Sequence, residues 1–329
     1  MDLSAESRIA IEAVSQAVRV CLSVQASLVK GGTLQKGDKS PVTVADFAVQ
    51  AVISRRLAAA FPGLPLLGEE DAGALRGAEG EALAGRVVRA AQSALPELDH
   101  AAVLDAIDRG GHEGGSRGRF WTLDPIDGTK GFLRSEQYAI ALALIEDGEV
   151  VLGVLGCPAL PVDASRPQAG TGAIFSAVRG QGAFQHDAEG RDPRPIRVSS
   201  QLQRWALRFC ESVESAHSNQ SDSARVAELL GIEAAPYRID SQCKYAAVAR
   251  GDAEIYLRLP TKPGYVERIW DHAAGFMVVS EAGGRVSDVR GAPLDFSKGR
   301  GLEANRGVIA THGPLHDEVV AAVGSVLGG

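Results

Sequence analysis

Cysteine is scarce in this chain of 329 residues: Cys21, Cys157, Cys210 and Cys243 are scattered, with no C-x-x-C pair. That spacing indicates neither a zinc site nor a disulfide framework, so reduced, mostly buried thiols are expected. Basic charge is not in excess either; the formal net charge is −7. A nucleic-acid surface needs a basic patch, so no nucleic-acid partner is expected. The opening Met-Asp-Leu-Ser-Ala-Glu-Ser lacks the basic region and apolar core of a signal peptide. The longest apolar run, Tyr138 to Ile145, is strand-sized, so no membrane span is expected. Repeats and low-complexity tracts are missing too. These absences predict a cytoplasmic protein with no membrane attachment and no obligate protein partner.

What is present is ordinary in bulk. Hydrophobic residues make up 45% and charged residues 23%, enough for a large core divided into two lobes. The negative charge does not exclude an anionic substrate, because bound divalent cations can invert the local field. An amphipathic helix is predicted from Ser4 to Val29, with Ile11, Val14, Val18, Cys21 and Leu28 near one face. A second helix is predicted after Thr43, capped by that residue with Asp46 at the capping-box position, and ending at Phe61. Residues 74–115 read as glycine-broken helix. Tyr138–Ile145 and Val150–Leu155 flank a turn, as do Ala173–Val178 and Gly182–Gln185, giving a run of antiparallel strands. The polar stretch His186–Pro195 is the predicted lobe boundary, with a long hairpin loop as the alternative. Beyond it, strands and helices alternate: a strand at Trp205–Cys210, helices at Ser241–Arg250 and Asp271–Ala282, and a last strand and helix from Val308. The fold class expected is an α+β lobe over residues 1–190 and a smaller α/β lobe over 191–329.

Chemistry concentrates in Trp121-Thr122-Leu123-Asp124-Pro125-Ile126-Asp127-Gly128-Thr129. The residue before a proline is pushed into an extended conformation, so Asp124 is expected at a strand leaving its sheet. Asp124 and Asp127 would then project from a tight bend, close enough to share a hard cation such as Mg²⁺. Gly128 would let a bound group approach the backbone, and Thr129 offers a hydroxyl. Asp-Pro and Asp-Gly are also common turn dipeptides, and a plain turn is the alternative. Three more segments place acids at element boundaries: Asp38 in a loop before a helix, Glu69-Glu70 after a short strand, and Asp271 at a helix start. Alone, each reads equally well as a turn residue, a solvated loop or an N-cap. Four together make coincidence unattractive.

In order, D-x-S-P-V-T-x-A-D from Asp38, Gly68-Glu69-Glu70, Asp124-Pro-Ile-Asp-Gly-Thr129 and Trp270-Asp-His-Ala-Ala-Gly275 resemble the lithium-sensitive, magnesium-dependent phosphatase superfamily of inositol monophosphatases, fructose bisphosphatases and bisphosphate nucleotidases. The continuation Lys130-Gly131-Phe132-Leu133-Arg134, with Gln137-Tyr138-Ala139, is similar to the 3'(2'),5'-bisphosphate nucleotidase branch. So are Asp240-Ser241-x-x-Lys244-Tyr245, Tyr256-Leu257-Arg258-Leu259-Pro260 and His217-Ser218. Ser135 departs from the glycine common in that branch.

The resemblance implies a layered αβαβα sugar-phosphatase-like architecture. It also implies two or three Mg²⁺ ions held by Glu69, Asp124, Asp127, Asp271 and the carbonyl of Ile126. Asp38 and Thr129 would be the pair activating water. Gly128, Thr129, His217, Ser218, Ser241, Lys244 and Arg258 would contact a small nucleotide bisphosphate, while Asp46 and Glu70 would orient the acids around them. The expected reaction removes the 3'-phosphate of 3'-phosphoadenosine 5'-phosphate, with 3'-phosphoadenylyl sulfate as a second substrate. An inositol mono- or bisphosphate phosphatase is the alternative, and a non-catalytic nucleotide sensor the third reading.

Overall fold

The computed structural model describes residues 2–30, 40–213, 220–260, 262 and 264–328. Helices α1 (Ser4–Lys30) and α2 (Ser40–Ala60) form its outer layer. Ala10, Val14, Ala17, Val18, Cys21 and Val24 recur at helical spacing on α1 and are all buried. Contrary to the sequence expectation, the Ser4–Ser27 stretch is long and apolar enough to cross a membrane. In the fold its apolar face packs as a core helix instead. Helix α2 begins at Ser40, ahead of the predicted cap, so Thr43 lies inside it. A proline in the first turn suits a helix start, because its missing N–H would have no intrahelical partner there.

The first sheet contains β1 (Leu66–Gly68), β2 (Arg119–Asp127), β3 (Ala139–Glu146), β4 (Glu149–Pro161), β5 (Thr171–Val178), β6 (Gly182–His186) and β7 (Arg194–Ile196), side by side in that order. Within this sheet only the β1–β2 pairing is parallel among the described strands. The polar stretch 186–195 therefore links two paired strands, and the first sheet extends to Ile196. Between β1 and β2 run α3 (Gly77–Gln92) and α4 (His100–Asp108), the latter capped by Asp99, which accepts from the Ala102 N–H at 2.8 Å. A short helix, α5 (Thr129–Arg134), follows β2. Gly156 on β4 brings α1 close: a Cβ there would meet Val14 Cγ1 at 2.7 Å.

The second sheet is mixed, ordered β11 (Arg285–Ser287), β12 (Val308–Thr311), β10 (Ile255–Arg258), β8 (Phe209–Glu211) and β9 (Tyr237–Arg238). The predicted strand from Trp205 is shorter than expected, since residues 204–206 form a 3₁₀ turn. Helices α7 (Cys243–Arg250) and α8 (Ala273–Glu281) fill the space between the sheets. Ala247, Ala274, Met277 and Val278 share that layer with Ala141, Leu155 and Phe175 of the first sheet and Tyr256 and Ala310 of the second. Helices α6 (Gln220–Leu230) and α9 (His316–Leu327) cover the outer face, with Val226 and Val323 packed on Phe209, Leu257 and Ile309. The result is five layers, αβαβα. Small residues set the central spacing; a Cβ on Gly275 would overlap the Tyr245 ring at 2.2 Å.

Candidate active site

Strand β2 does not leave its sheet at Asp124, as the Asp-Pro dipeptide suggests, but continues to Asp127 through an irregularity. Asp124 pairs with Ala141 and Asp127 with Ala139, so β2 spends three steps where β3 spends two. Side chains alternate along a strand, so residues three apart normally face opposite ways. One extra residue restores a common face, and a bulge also accommodates a proline that cannot donate to the ladder. The bulge, rather than a tight bend, aims both carboxylates into one cleft. Gly128 then takes φ 91°, a left-handed conformation, and starts α5 with Thr129 at its first position. A Cβ on Gly131 would lie 2.0 Å from the Gln137 carbonyl oxygen, so α5 folds against the segment leading into β3 only with glycine there.

The cleft has a volume of about 210 Å³ and draws its walls from both sheets. Glu69, Asp124, Ile126, Asp127, Gly128, Thr129 and Asp271 line it, as do Ser241, Lys244 and Arg258. Asp46 and Glu70 do not, yet they lie close enough for Glu70 to act on Asp46 and for Asp46 to act on Asp124. Burial, then Glu70 and Glu69, raises the Asp46 pKa well above its ordinary value. Burial and Asp71 raise that of Glu70. The Glu70 backbone is clamped by Gln50 of α2, whose amide donates to the Glu70 carbonyl at 2.6 Å and accepts its N–H at 3.1 Å. Asp38, His217 and Ser218 lie outside the described residues.

Electrostatically the acidic wall is only partly compensated. Asp124 is buried, and its pKa is raised well above the carboxylate range by burial and then by Glu69, Asp127, Asp271 and Asp46. Glu69 reaches solvent, yet desolvation in the cleft and the adjacent Glu70 push it up to about 7 despite a hydrogen bond with Asp124. Asp271 is also pushed up to about 7 by desolvation, against the pull of Arg258 and His272. The Asp124 Oδ1 atom is buried with no hydrogen-bond partner. Crowded carboxylates with an orphaned oxygen and no sulfur donor fit a hard divalent cation. Asp271 sits in a 3₁₀ turn (Ile269–Asp271), not at the predicted helix start, which falls at Ala273. Although Glu267, Asp271 and His272 place ligand atoms within 4.8 Å of one another, both His272 nitrogens are engaged. Nδ1 meets the Tyr245 hydroxyl at 2.7 Å and Nε2 the Glu267 carboxylate at 3.1 Å.

The opposite wall is built on the segment before α7, which begins at Cys243 rather than Ser241. Ser241 has φ 65°, unusual for a residue with a side chain, and its hydroxyl donates to the Asp240 carbonyl at 2.6 Å. Backbone strain of this kind is concentrated at functional sites. Lys244 is buried, not on an exposed helix face; it donates to Ser212 Oγ at 3.1 Å and lies over the Tyr256 ring. Burial lowers its pKa. Arg258, from the middle of the second sheet, is held by Glu267 at 2.8 Å and Asp271 at 3.5 Å. Its guanidinium thus neutralises part of the acidic wall. Lys130, Ser212 and Asp240 also line the cleft and were not among the predicted contacts. Asp240 accepts from Arg134 at 2.6 Å, which ties α5 to this segment. Nothing in local spacing signals Ser212, because only the second sheet's order brings it there.

The inositol monophosphatase family model matches residues 2–326. The 3'(2'),5'-bisphosphate nucleotidase of Schizosaccharomyces pombe is 45% identical over 343 residues, covering 99% of this chain and 97% of that one. That of Oryza sativa is 45% identical over 336 residues, covering 97% and 94%. Among solved structures, inositol monophosphatase from Anabaena (Nostoc) sp. PCC 7120 superposes with a TM-score of 0.64 at 21% identity, over 99% of this chain and 97% of that one. The Thermotoga maritima IMPase gives 0.63 at 22% identity, over 97% and 96%. At that identity the structures establish the layered fold.

Proposed function

The chain belongs to the inositol monophosphatase family, and within it we propose that this cleft hydrolyses the 3'-phosphate of 3'-phosphoadenosine 5'-phosphate to AMP and phosphate. The observation that carries the substrate is the pairing of walls: four carboxylates on one side, and the buried ammonium of Lys244 with Arg258 on the other. An ester with one phosphate needs only the first wall. A second phosphate gives the desolvated Lys244 ammonium an anionic partner, and charge-assisted hydrogen bonds of that kind are strong. Relatives matching nearly the whole chain are named for this bisphosphate chemistry. 3'-Phosphoadenylyl sulfate, whose anionic 5' group could take the same place, is the second substrate we propose.

Glu69, Asp124, Asp127, Asp271 and the Ile126 carbonyl would hold two or three Mg²⁺ ions. When bound, such ions neutralise charge on the phosphoryl oxygens and lower the pKa of water. Thr129, at the first position of α5, faces the cleft and would orient the attacking water. Asp38 would accept the threonine proton. The water oxygen forms the new bond to phosphorus as its proton passes to Thr129, and the ribose 3'-oxygen leaves and takes up a proton from solvent. Gly128 leaves room at the reacting phosphate, while Ser241 lies against it: a Cβ on Gly128 would meet Ser241 Cβ at 2.8 Å. His217 and Ser218 are proposed to contact the nucleoside.

The test offers purified protein with Mg²⁺ either the nucleotide bisphosphate or inositol 1-phosphate and follows phosphate release. Preferential turnover of the nucleotide is expected. Preference for the inositol ester would overturn the substrate, and nucleotide binding without turnover of either would favour the sensor.

A further inference from the structure

Gln242 joins the two halves of the acidic wall. Its backbone N–H donates to Asp127 Oδ2 at 2.5 Å, across from the first sheet. Its side-chain amide donates to the Trp270 carbonyl at 2.9 Å, one residue before Asp271. The same amide's oxygen accepts from the Gly275 N–H at 3.3 Å, in the first turn of α8. The residue is 2% exposed. A fully buried amide carries a desolvation cost unless its groups are paired, and here both its oxygen and its nitrogen are. It does not line the cleft, so it is not placed to touch substrate or a bound ion.

We propose that Gln242 is a positioning residue that sets the distance between Asp127 and Asp271, and thereby the affinity for divalent cations. This rests on the metal reading above but not on the identity of the substrate. Asp127 comes from the end of β2 and Asp271 from the turn before α8, two elements with no covalent route shorter than the intervening chain. Gln242 contacts both through one short side chain and its own backbone. Its neighbour Ser241 carries the strained φ, and Asp240 is anchored by Arg134, so the segment has little freedom to yield. Partners that orient ligating carboxylates act on metal affinity even though they never touch the ion.

The experiment measures Mg²⁺ and Mn²⁺ binding by titration calorimetry and Mn²⁺ by electron paramagnetic resonance, without substrate. Gln242→Leu preserves volume and removes both side-chain hydrogen bonds, to Trp270 and Gly275, while the backbone bond to Asp127 stays; Gln242→Asn keeps the amide but shortens its reach. Gln92→Leu is the control: Gln92 donates to the Leu98 carbonyl at 2.8 Å on α3, which forms no part of the cleft. We expect Kd to rise about 10–100-fold in Gln242→Leu, the usual range for such partners, and less in Gln242→Asn. The Mg²⁺ concentration for half-maximal activity should rise in parallel, with kcat largely restored at saturating Mg²⁺. A lower Tm with Kd within about twofold of the parent in the folded variant would assign Gln242 a purely structural role and overturn the proposal. If Gln242→Leu does not fold, the same criterion applies to Gln242→Asn. Absence of cation binding by the parent protein would instead refute the metal reading itself.

Discussion

Asp124 and Asp127 are three residues apart on β2, yet both face one cleft because a single extra residue bulges between them. The geometry concentrates acidic groups that the protein's own cations balance only in part.

Asp124→Asn should therefore separate activity from stability. Turnover is expected to fall by more than about 100-fold, beyond the effect of residues that merely orient ligands. The metal-free variant should melt higher than the metal-free parent at neutral pH, since burial and the facing Glu69, Asp127 and Asp271 disfavour a carboxylate that Asp124 forms freely in the unfolded chain, and an amide carries no such cost. Scanning calorimetry in chelator checks this, and a lower Tm would show that Asp124 is compensated in some other way.

Metal removal should matter more at alkaline pH. Glu69 and Asp271 are both raised to about 7 in the metal-free fold, above their unfolded values. A carboxyl raised on folding costs no stability below its unfolded pKa and costs most above its folded pKa. The metal-free protein should thus lose stability as pH rises through 7. Mg²⁺ should raise Tm more at pH 8 than at pH 5.5. Equal increments at the two pH values would contradict the crowded-carboxylate account.

A different group, His316, contributes to the acid limb. His316 is buried between Ser287 Oγ at 2.9 Å and Thr311 Oγ1 at 3.0 Å. Burial and Arg285 lower its pKa to about 4. The unfolded chain protonates this imidazole near 6.5, before the folded protein does. Stability is intact above that value and falls as pH drops from about 6.5 to 4, by on the order of 2 kcal/mol. His316→Gln should flatten this part of the urea-denaturation profile, and an unchanged slope would exclude His316 as its source.

Much of the site was legible because its residues sit in short segments with fixed chemistry. The strand Val308–Thr311 and the helix near its end follow from local pattern alone. Local pattern failed where tertiary contacts decide. Asp-Pro read as the end of a strand, but pairing with β3 carries β2 on to Asp127. Gln242 was invisible for the same reason, since its partners at Asp127 and Trp270 are remote in sequence.

Lys244→Met should distinguish nucleotide recognition from general integrity. The substitution keeps an apolar stem and removes a desolvated ammonium, so Tm should not fall. Loss of one charge-assisted hydrogen bond is worth about 1.5–3 kcal/mol, or roughly 10–100-fold in KM for the nucleotide bisphosphate. Steady-state kinetics checks it, and an unchanged KM would remove Lys244 from the substrate contacts.

The most direct test of the central claim is ³¹P NMR of the reaction of 3'-phosphoadenosine 5'-phosphate with the Mg²⁺-supplemented protein. The account predicts that the 3'-phosphate resonance disappears while the 5' resonance persists, leaving AMP and inorganic phosphate in equal amounts. Accumulation of adenosine 3'-phosphate, or a spectrum unchanged by the enzyme, would contradict it.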